Sequence, residues 1–284
     1  MSAAGQPAPS GSLAGRTLLM SGGSRGIGLA IAVRAARDGA NVVLLAKTDS
    51  PDPRLPGTVH TAVKEIEAAG GNGVAVVGDV RDDSDVERAV RTAVDTFGGI
   101  DILVNNASAI ALVPIGQLPP KRYDLMLDVN ARGTFAMTSL ALPHLYQSDA
   151  PHVLTLSPPL NLDPKWLSAH APYTVSKYAM TMLTLGLAGQ QHPRAISANC
   201  LWPRTMIATA AVQNLVGGDA AMEISRRPEI MADAAQTVLV EAAGVRTGEC
   251  LIDENVLRGA GMTDFATYRY GNAAEADLST DLFL

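Results

Sequence analysis

A doubly wound α/β fold, a seven-stranded parallel sheet with helices on both faces, is predicted for this 284-residue chain by three features. Its short apolar runs are continuous rather than alternating, as strands buried on both faces are. Segments with apolar residues at helical spacing separate them, so strand and helix take turns along the chain. The first apolar run leads directly into a glycine-rich turn, Gly22-Gly23-Ser24-Arg25-Gly26-Ile27-Gly28.

The elements follow in order. Thr17–Met20 reads as the first strand and the residues from Ile27 onward as the first helix, with the glycines forming the turn between them. Further strands are expected at Asn41–Ala46, Gly73–Val77, Ile102–Val104, His152–Ser157, Ala195–Leu201 and Gly248–Asp253, making seven. Helical spacing marks Thr61–Ala69 and Asp82–Phe97, the latter with Asp82 or Asp83 as N-cap. Helices are also expected around 121–147 and 173–189. Residues 47–60, 158–172, 202–227 and those after Glu254 read as irregular. Loops after parallel strands are where such sheets bind ligands, which directs attention to 158–172 and 202–227. No linker divides the chain, so we expect a flexible N-terminal tail at 1–12, one domain at 13–260 and a C-terminal tail at 261–284.

Composition narrows the function classes. A net charge of −6 argues against nucleic acid or an anionic membrane as partner. Residues 1–12 lack a basic segment followed by an apolar run, and no stretch reaches the 18 or so apolar residues of a membrane span. Cys200 and Cys250 lie in apolar segments with no ligand spacing and read as buried free thiols, which suits a cytoplasmic setting. The five histidines form no ligand-spaced pair, so no metal site is expected.

Glycines at 22, 26 and 28 permit a tight turn and leave amide N–H groups at a helix start, an arrangement that receives a pyrophosphate. An ordinary βα turn is the bland alternative. The strand before and helix after supply the context a dinucleotide site requires. About 20 residues on, where an acidic side chain would hold the ribose hydroxyls of NAD, the chain has Lys47. With Arg25 in the turn, two cations could flank a 2′-phosphate, so NADP(H) is favoured and NAD(H) stays possible. Asp79 could accept from an adenine amino group or simply cap the next helix. Gly22-x-Ser24-x-Gly26 also fits the nucleophile elbow of a hydrolase, but a triad needs an acid and then a histidine, and the last histidine is His192. No Walker-type Gly-Lys-Ser/Thr ending follows the glycines.

Tyr173 and Lys177 stand four residues apart, on one helix face. Six tyrosines and five lysines would give that spacing by chance about 0.1 times, so position carries the argument. The pair follows the fifth strand, and Ser157 ends that strand. A phenol whose pKa a neighbouring ammonium lowers from about 10 can exchange a proton with an alcohol or carbonyl near neutral pH. Ser157 could hold the substrate oxygen by hydrogen bond, or merely bond to backbone as strand-end serines often do. Trp202, Met206, Ile207, Val212, Leu215 and Met222 compose either a lid over an apolar ligand or a core helix.

The glycine turn, Asn105-Asn106-Ala107-Ser108, Val129-Asn130, Ser157, Tyr173-x-x-x-Lys177 and Trp202-Pro203-Arg204-Thr205 together resemble the short-chain dehydrogenase/reductase family over roughly residues 14–260. Within it, Lys47-Thr48-Asp49-Ser50-Pro51, residues 157–162 and residues 230–235 resemble the hydroxysteroid dehydrogenase-like protein 2 subgroup. The resemblance implies a Rossmann fold and an oxidoreductase whose catalytic residues are Asn130, Ser157, Tyr173 and Lys177, with Asn130 linking Lys177 to a proton relay. It implies that Asn105 steadies the central strands. Cofactor contacts are implied for Gly22, Ser24, Arg25, Gly26, Ile27, Gly28, Lys47, Asp79, Val80, Asn106, Ala107, Tyr173, Lys177, Pro203 and Thr205. Substrate contacts are expected for Ser157, Pro159, Trp166 and Tyr173, with a hydrophobic ketone, alcohol or acyl compound as substrate. Two departures stand out: Ala107-Ser108 replaces the commoner Ala-Gly, and Ser157 lies 16 residues before Tyr173, a few more than usual. Helices around 121–147 and 173–189 are expected to build a homodimer or homotetramer. A protein of the same fold that binds the dinucleotide but has lost catalysis is the alternative.

Overall fold

The computed structural model describes residues 11–52, 55–190, 192 and 194–284. Most of the expected tail at 1–12 thus lies outside the described residues. Strands β1 (Thr17–Ser21), β2 (Asn41–Ala46), β3 (Asn72–Val77), β4 (Ile102–Asn105), β5 (His152–Thr155), β6 (Ser197–Trp202) and β7 (Cys250–Ile252) form one parallel sheet in the order β3-β2-β1-β4-β5-β6-β7. The strand order reverses between β1 and β4, and that switch point opens a crevice at the carboxyl edge.

Both faces of each strand are covered, which explains the unbroken apolar runs. Leu18, Met20, Val42 and Leu44 point to one hydrophobic core, while Leu19, Val43 and Leu45 point to a second on the other side. The first core is closed by α1 (Gly26–Arg37), α2 (Val59–Ala68), α8 (Glu229–Leu239) and α9 (Asp253–Gly259). The second is closed by α3 (Asp83–Phe97) and α5 (Gly133–Leu145). Asp82 caps α3, its carboxylate accepting from the Ser84 N–H at 2.8 Å. Asp79 is therefore not the cap.

Three segments differ from the expectations. The helix around 121–147 is α4 (Pro120–Met126), a π-helical turn over Leu127–Arg132, and α5. The residues before Tyr173 are not irregular throughout, since α6 runs Pro164–Ala188 with a break at His170. Pro172 lacks an N–H for the helical ladder there, and the Thr174 hydroxyl lies within hydrogen-bond reach of the Trp166 and His170 carbonyls, 3.2 Å from each, across the break. The stretch 202–227 holds a π turn at Val212–Val216 and α7 (Gly218–Glu223). Cys200 is buried as expected, but Cys250 is only half-buried because β7 is an edge strand.

Residues 261–284 fold back onto the domain. Ser279–Leu284 run beside the start of the 202–227 segment, with Thr280 bridging Thr205, the Met206 N–H donating to the Ser279 carbonyl at 2.9 Å and the Asp281 N–H to the Arg204 carbonyl at 3.0 Å. Among the described residues no helix is long and apolar enough to cross a membrane.

Candidate active site at the strand-order switch

A cleft of about 570 Å³ opens at the switch point. Its floor is the glycine turn, where Gly22, Ser24, Arg25, Gly26 and Ile27 line one wall. The turn demands glycine. Gly22 has φ +75°, and a Cβ on it would stand 2.8 Å from the Ala107 Cα; a Cβ on Gly28 would stand 2.5 Å from Asn106 Nδ2. That amide nitrogen donates to the carbonyls of Ser21 and Gly22 at 3.1 and 2.8 Å, locking the turn to the end of β4. The open N-terminus of α1, with no side-chain cap, faces this space.

Of the expected cofactor contacts, Lys47, Asp79, Val80, Asn106, Ala107, Tyr173 and Lys177 also line the cleft. Arg25 is fixed from behind, its guanidinium donating to the Pro56 and Gly57 carbonyls at 3.1 and 2.8 Å. Asp79 is held by Arg81 at 2.7 Å, which keeps its carboxyl below the usual range. Gly28, Pro203 and Thr205 are not on the cleft wall. Gly28 packs behind the turn, and Thr205 is buried under Thr280.

Tyr173 and Lys177 both reach the cleft from α6, within the first two turns past its break. The Lys177 ammonium donates to the Leu156 carbonyl at 2.6 Å and lies 5.1 Å from the Trp202 ring centroid. Burial pushes its pKa down to about 7, against an attraction from Asp281. The phenol is held up in this arrangement, and Lys177 is not among the groups that shift it. Burial raises the Tyr173 pKa, the Asp281 carboxylate raises it further, and only the Ser108 hydroxyl beside it acts the other way.

Asn130 and Ser157 stand behind the cleft. Asn130 is wholly buried on the π turn, where its Oδ1 accepts from the Ala109 N–H at 2.7 Å and its Nδ2 donates to the Ala109 carbonyl and to Ser176 Oγ, each at 2.9 Å. It thereby ties the 107–112 loop to α6. Asn105, also buried, donates to Thr138 Oγ1 on α5 at 3.1 Å and to Thr155 Oγ1 on the neighbouring strand β5 at 3.4 Å. Ser157 is fully buried beside Cys200, and its Oγ has no hydrogen-bond partner. Neither Ser157 nor Pro159 nor Trp166 lines the cleft. Trp166 belongs instead to an aromatic cluster with His170, Tyr173, Tyr178, Trp202 and Phe283.

Two participants escaped the sequence reading. Ser108 lines the cleft next to Tyr173, and the sequence flagged it only as a replaced glycine. Asp281 comes from the C-terminal segment, whose acidic, polar composition gave no sign that it packs inward. Its carboxyl is pushed up to about 7 by burial, with Asp253 adding to the rise and Lys177 opposing it.

The family model described as short chain dehydrogenase matches residues 16–219. The chain belongs to the short-chain dehydrogenase family. The family implies a nicotinamide dinucleotide cofactor, and the glycine turn, too tight for any Cβ at Gly22 or Gly28, fits the close approach of one. The chain is 51% identical over 258 residues to hydroxysteroid dehydrogenase-like protein 2 of Danio rerio, covering 91% of this chain and 61% of that protein. It is 45% identical over 273 residues to the protein of the same name from Homo sapiens, covering 95% and 65%. The chain thus spans less than two thirds of the length of these curated relatives. A solved short-chain dehydrogenase from Mycobacterium thermoresistibile superposes with a TM-score of 0.89 at 53% identity, covering 95% of each chain.

Burial of Lys177 has a measurable consequence. Its folded pKa near 7 lies below the unfolded value near 10.5, so between those limits the unfolded chain binds more protons and stability rises with pH. Below pH 7 the full cost of the buried ammonium is present. Lys177→Met should therefore raise the thermal midpoint at pH 6, and the gain should shrink towards pH 10. Melting curves across that range check it; a gain independent of pH would mean that the ammonium is not what costs stability.

Proposed function

We propose that this chain is an NADP(H)-dependent oxidoreductase that moves a hydride between nicotinamide and a hydrophobic carbonyl or alcohol, with Tyr173 as general acid and base. The observation that carries this reading is the meeting of Tyr173 and Lys177 with the glycine turn on one cleft. The turn and the N-terminus of α1 would hold the pyrophosphate, and Ile27, Val80, Asn106 and Ala107 would border the rest of the dinucleotide. When bound, the nicotinamide supplies or receives the hydride.

In the reducing direction the Tyr173 hydroxyl gives its proton to the carbonyl oxygen as negative charge gathers there, leaving a phenolate. Lys177, one helical turn along on the same cleft, has a pKa near 7 and so can both give and take a proton at neutral pH, which suits it to reload Tyr173. Oxidation runs the same transfers backwards. Asn130 holds the Ala109 backbone and Ser176 in place, fixing the loop opposite Tyr173. Two serines could hold the substrate oxygen, Ser157 and Ser108. Ser108 is favoured because it lies on the cleft wall beside the phenol, whereas Ser157 is buried and does not line the cleft.

The NADP preference rests on Lys47 and Arg25 at one end of the cleft. Arg25 is pre-positioned by two backbone carbonyls, which lowers the ordering cost of a phosphate contact. NADPH should bind roughly tenfold more tightly than NADH, and Lys47→Ala should remove most of that difference. Fluorescence titration with both cofactors measures it; equal wild-type affinities would remove the preference for NADP(H).

A cofactor-binding protein without turnover is the second reading, favoured by the 4% exposure of Tyr173. Turnover of any apolar ketone, aldehyde or acyl thioester with NADPH decides between them. We also propose a homo-oligomer, in which Phe135 on α5 and Val175, Met182 and Leu183 on α6, all exposed, are covered by a second copy.

A further inference from the structure

The side of Tyr173 not occupied by the glycine turn and loop 107–112 is filled by the protein itself. Phe283 is 1% exposed, and its ring stacks on that of Tyr173 with centroids 6.2 Å apart and planes at 28°. Around it stand Trp166 at 5.6 Å, His170 at 5.7 Å, Tyr178 at 5.4 Å and Trp202 at 6.0 Å. Trp166, His170 and Trp202 come from the two segments that the sequence pointed to as substrate loops, so Phe283 sits where both meet.

Two independent features mark this as an occupied site and not only a packed wall. Phe283 has φ +73° and is the one non-glycine among the described residues with positive φ, a conformation that persists only where surrounding structure imposes it. Trp166 Nε1 is a buried donor with no acceptor, although it belongs to the cage around that ring. Beyond the Asp281 N–H bond to Arg204, residues 282 and 283 are held by one side-chain hydrogen bond each from the rest of the domain: Trp202 Nε1 donates to the Leu282 carbonyl and Asn161 Nδ2 to the Phe283 carbonyl, each at 2.9 Å. Such contacts can be exchanged for a ligand.

We propose that the Phe283 ring stands in the place of the substrate's own ring: the site takes a carbonyl compound with a flat apolar ring next to the reacting carbon, and residues 281–284 move aside to admit it. This rests on the oxidoreductase reading above. The cage supplies aromatic faces on several sides, which reward a planar ring over a flexible chain of equal size. An oxygen substituent on that ring would meet the unpartnered Trp166 Nε1. While the segment is docked it competes with substrate, lowering apparent affinity by the fraction of time the cage is free.

The chain carries only two tryptophans, and both touch the segment, Trp202 through its indole N–H and Trp166 through its ring. Intrinsic fluorescence therefore reports docking directly. The experiment compares acetophenone with 2-butanone on the NADPH-loaded protein, in the wild type and in Phe283→Ala. Acetophenone should shift the tryptophan emission of the wild type and 2-butanone should not. Phe283→Ala should raise kcat/KM for acetophenone by about tenfold, change that for 2-butanone little and leave NADPH affinity unaltered. If the variant melts too low to assay, Phe283→Leu preserves bulk without the flat ring and should show the same ordering. An emission shift without turnover of either ketone would overturn the oxidoreductase reading and leave the ring subsite standing. Turnover of both ketones with kcat/KM unchanged, or lowered equally, in the Phe283 variants would overturn the subsite.

Discussion

Tyr173→Phe should lower carbonyl turnover by about 10²–10⁴-fold while NADPH affinity stays close to that of the wild type. The ring remains, so the stack on Phe283 and the packing of α6 are kept, and only the proton donor is lost. Because burial and the Asp281 carboxylate both hold the phenol protonated, the wild-type donor is fully loaded at neutral pH, which suits reduction. Ser108→Ala removes the one neighbouring hydroxyl that opposes this rise, and should reduce kcat by a smaller factor. Steady-state kinetics with a separate cofactor titration reads both; a Phe variant at wild-type turnover would take Tyr173 out of the mechanism.

Arg226→Met should cost about 3–5 kcal/mol of unfolding free energy, the largest stability change foreseen here. Arg226 is a cation with only 1% of its surface exposed, and it donates to Glu254 at 2.8 and 3.1 Å, to the Phe265 carbonyl at 3.0 Å and to Glu275. Removing it strands the Glu254 carboxylate, itself 5% exposed, in a low-dielectric place. Arg204 at 3.6 Å and Arg258 at 3.4 Å soften that loss. Arg226→Met combined with Glu254→Gln should recover part of it, since no unpaired charge is then buried. Urea unfolding of Arg226→Met, Glu254→Gln and the double variant checks the cycle, and a loss in Arg226→Met below about 1 kcal/mol would show that the pair adds little.

The sheet was legible because its physics is local. Continuous apolar runs such as Asn41–Ala46 are required by burial on both faces, and Leu44 and Leu45 do face opposite cores. The Gly22 turn was legible for the same reason, as its positive φ and close approach to Ala107 admit no other residue. Legibility fails where contacts are distant in sequence. Nothing within 158–172 announces that Pro164 starts a helix which a later proline bends, and a proline there reads as a break. Likewise, Asp281 and Phe283 look like tail residues until Arg204 and Asn161, some 80 to 120 positions earlier, are seen to bind their backbone. Whether a serine lines the cleft depends on strand-end geometry, which is why Ser108 could not be singled out beside Ser157 before the fold was known.

The π turn at Leu127–Arg132 makes this stretch a ruler. In a regular α-helix each residue added or removed rotates everything beyond it by about 100°. Deleting one residue between 127 and 132 would let α4 and α5 join as a single regular helix, improving its own hydrogen bonding. The same deletion would swing Asn130 off Ala109 and Ser176, releasing the loop that carries Ser108 towards Tyr173. A surface loop tolerates a change of length. Here the count of residues is itself a functional quantity, and a shortened helix could be the more regular one and still lose the site.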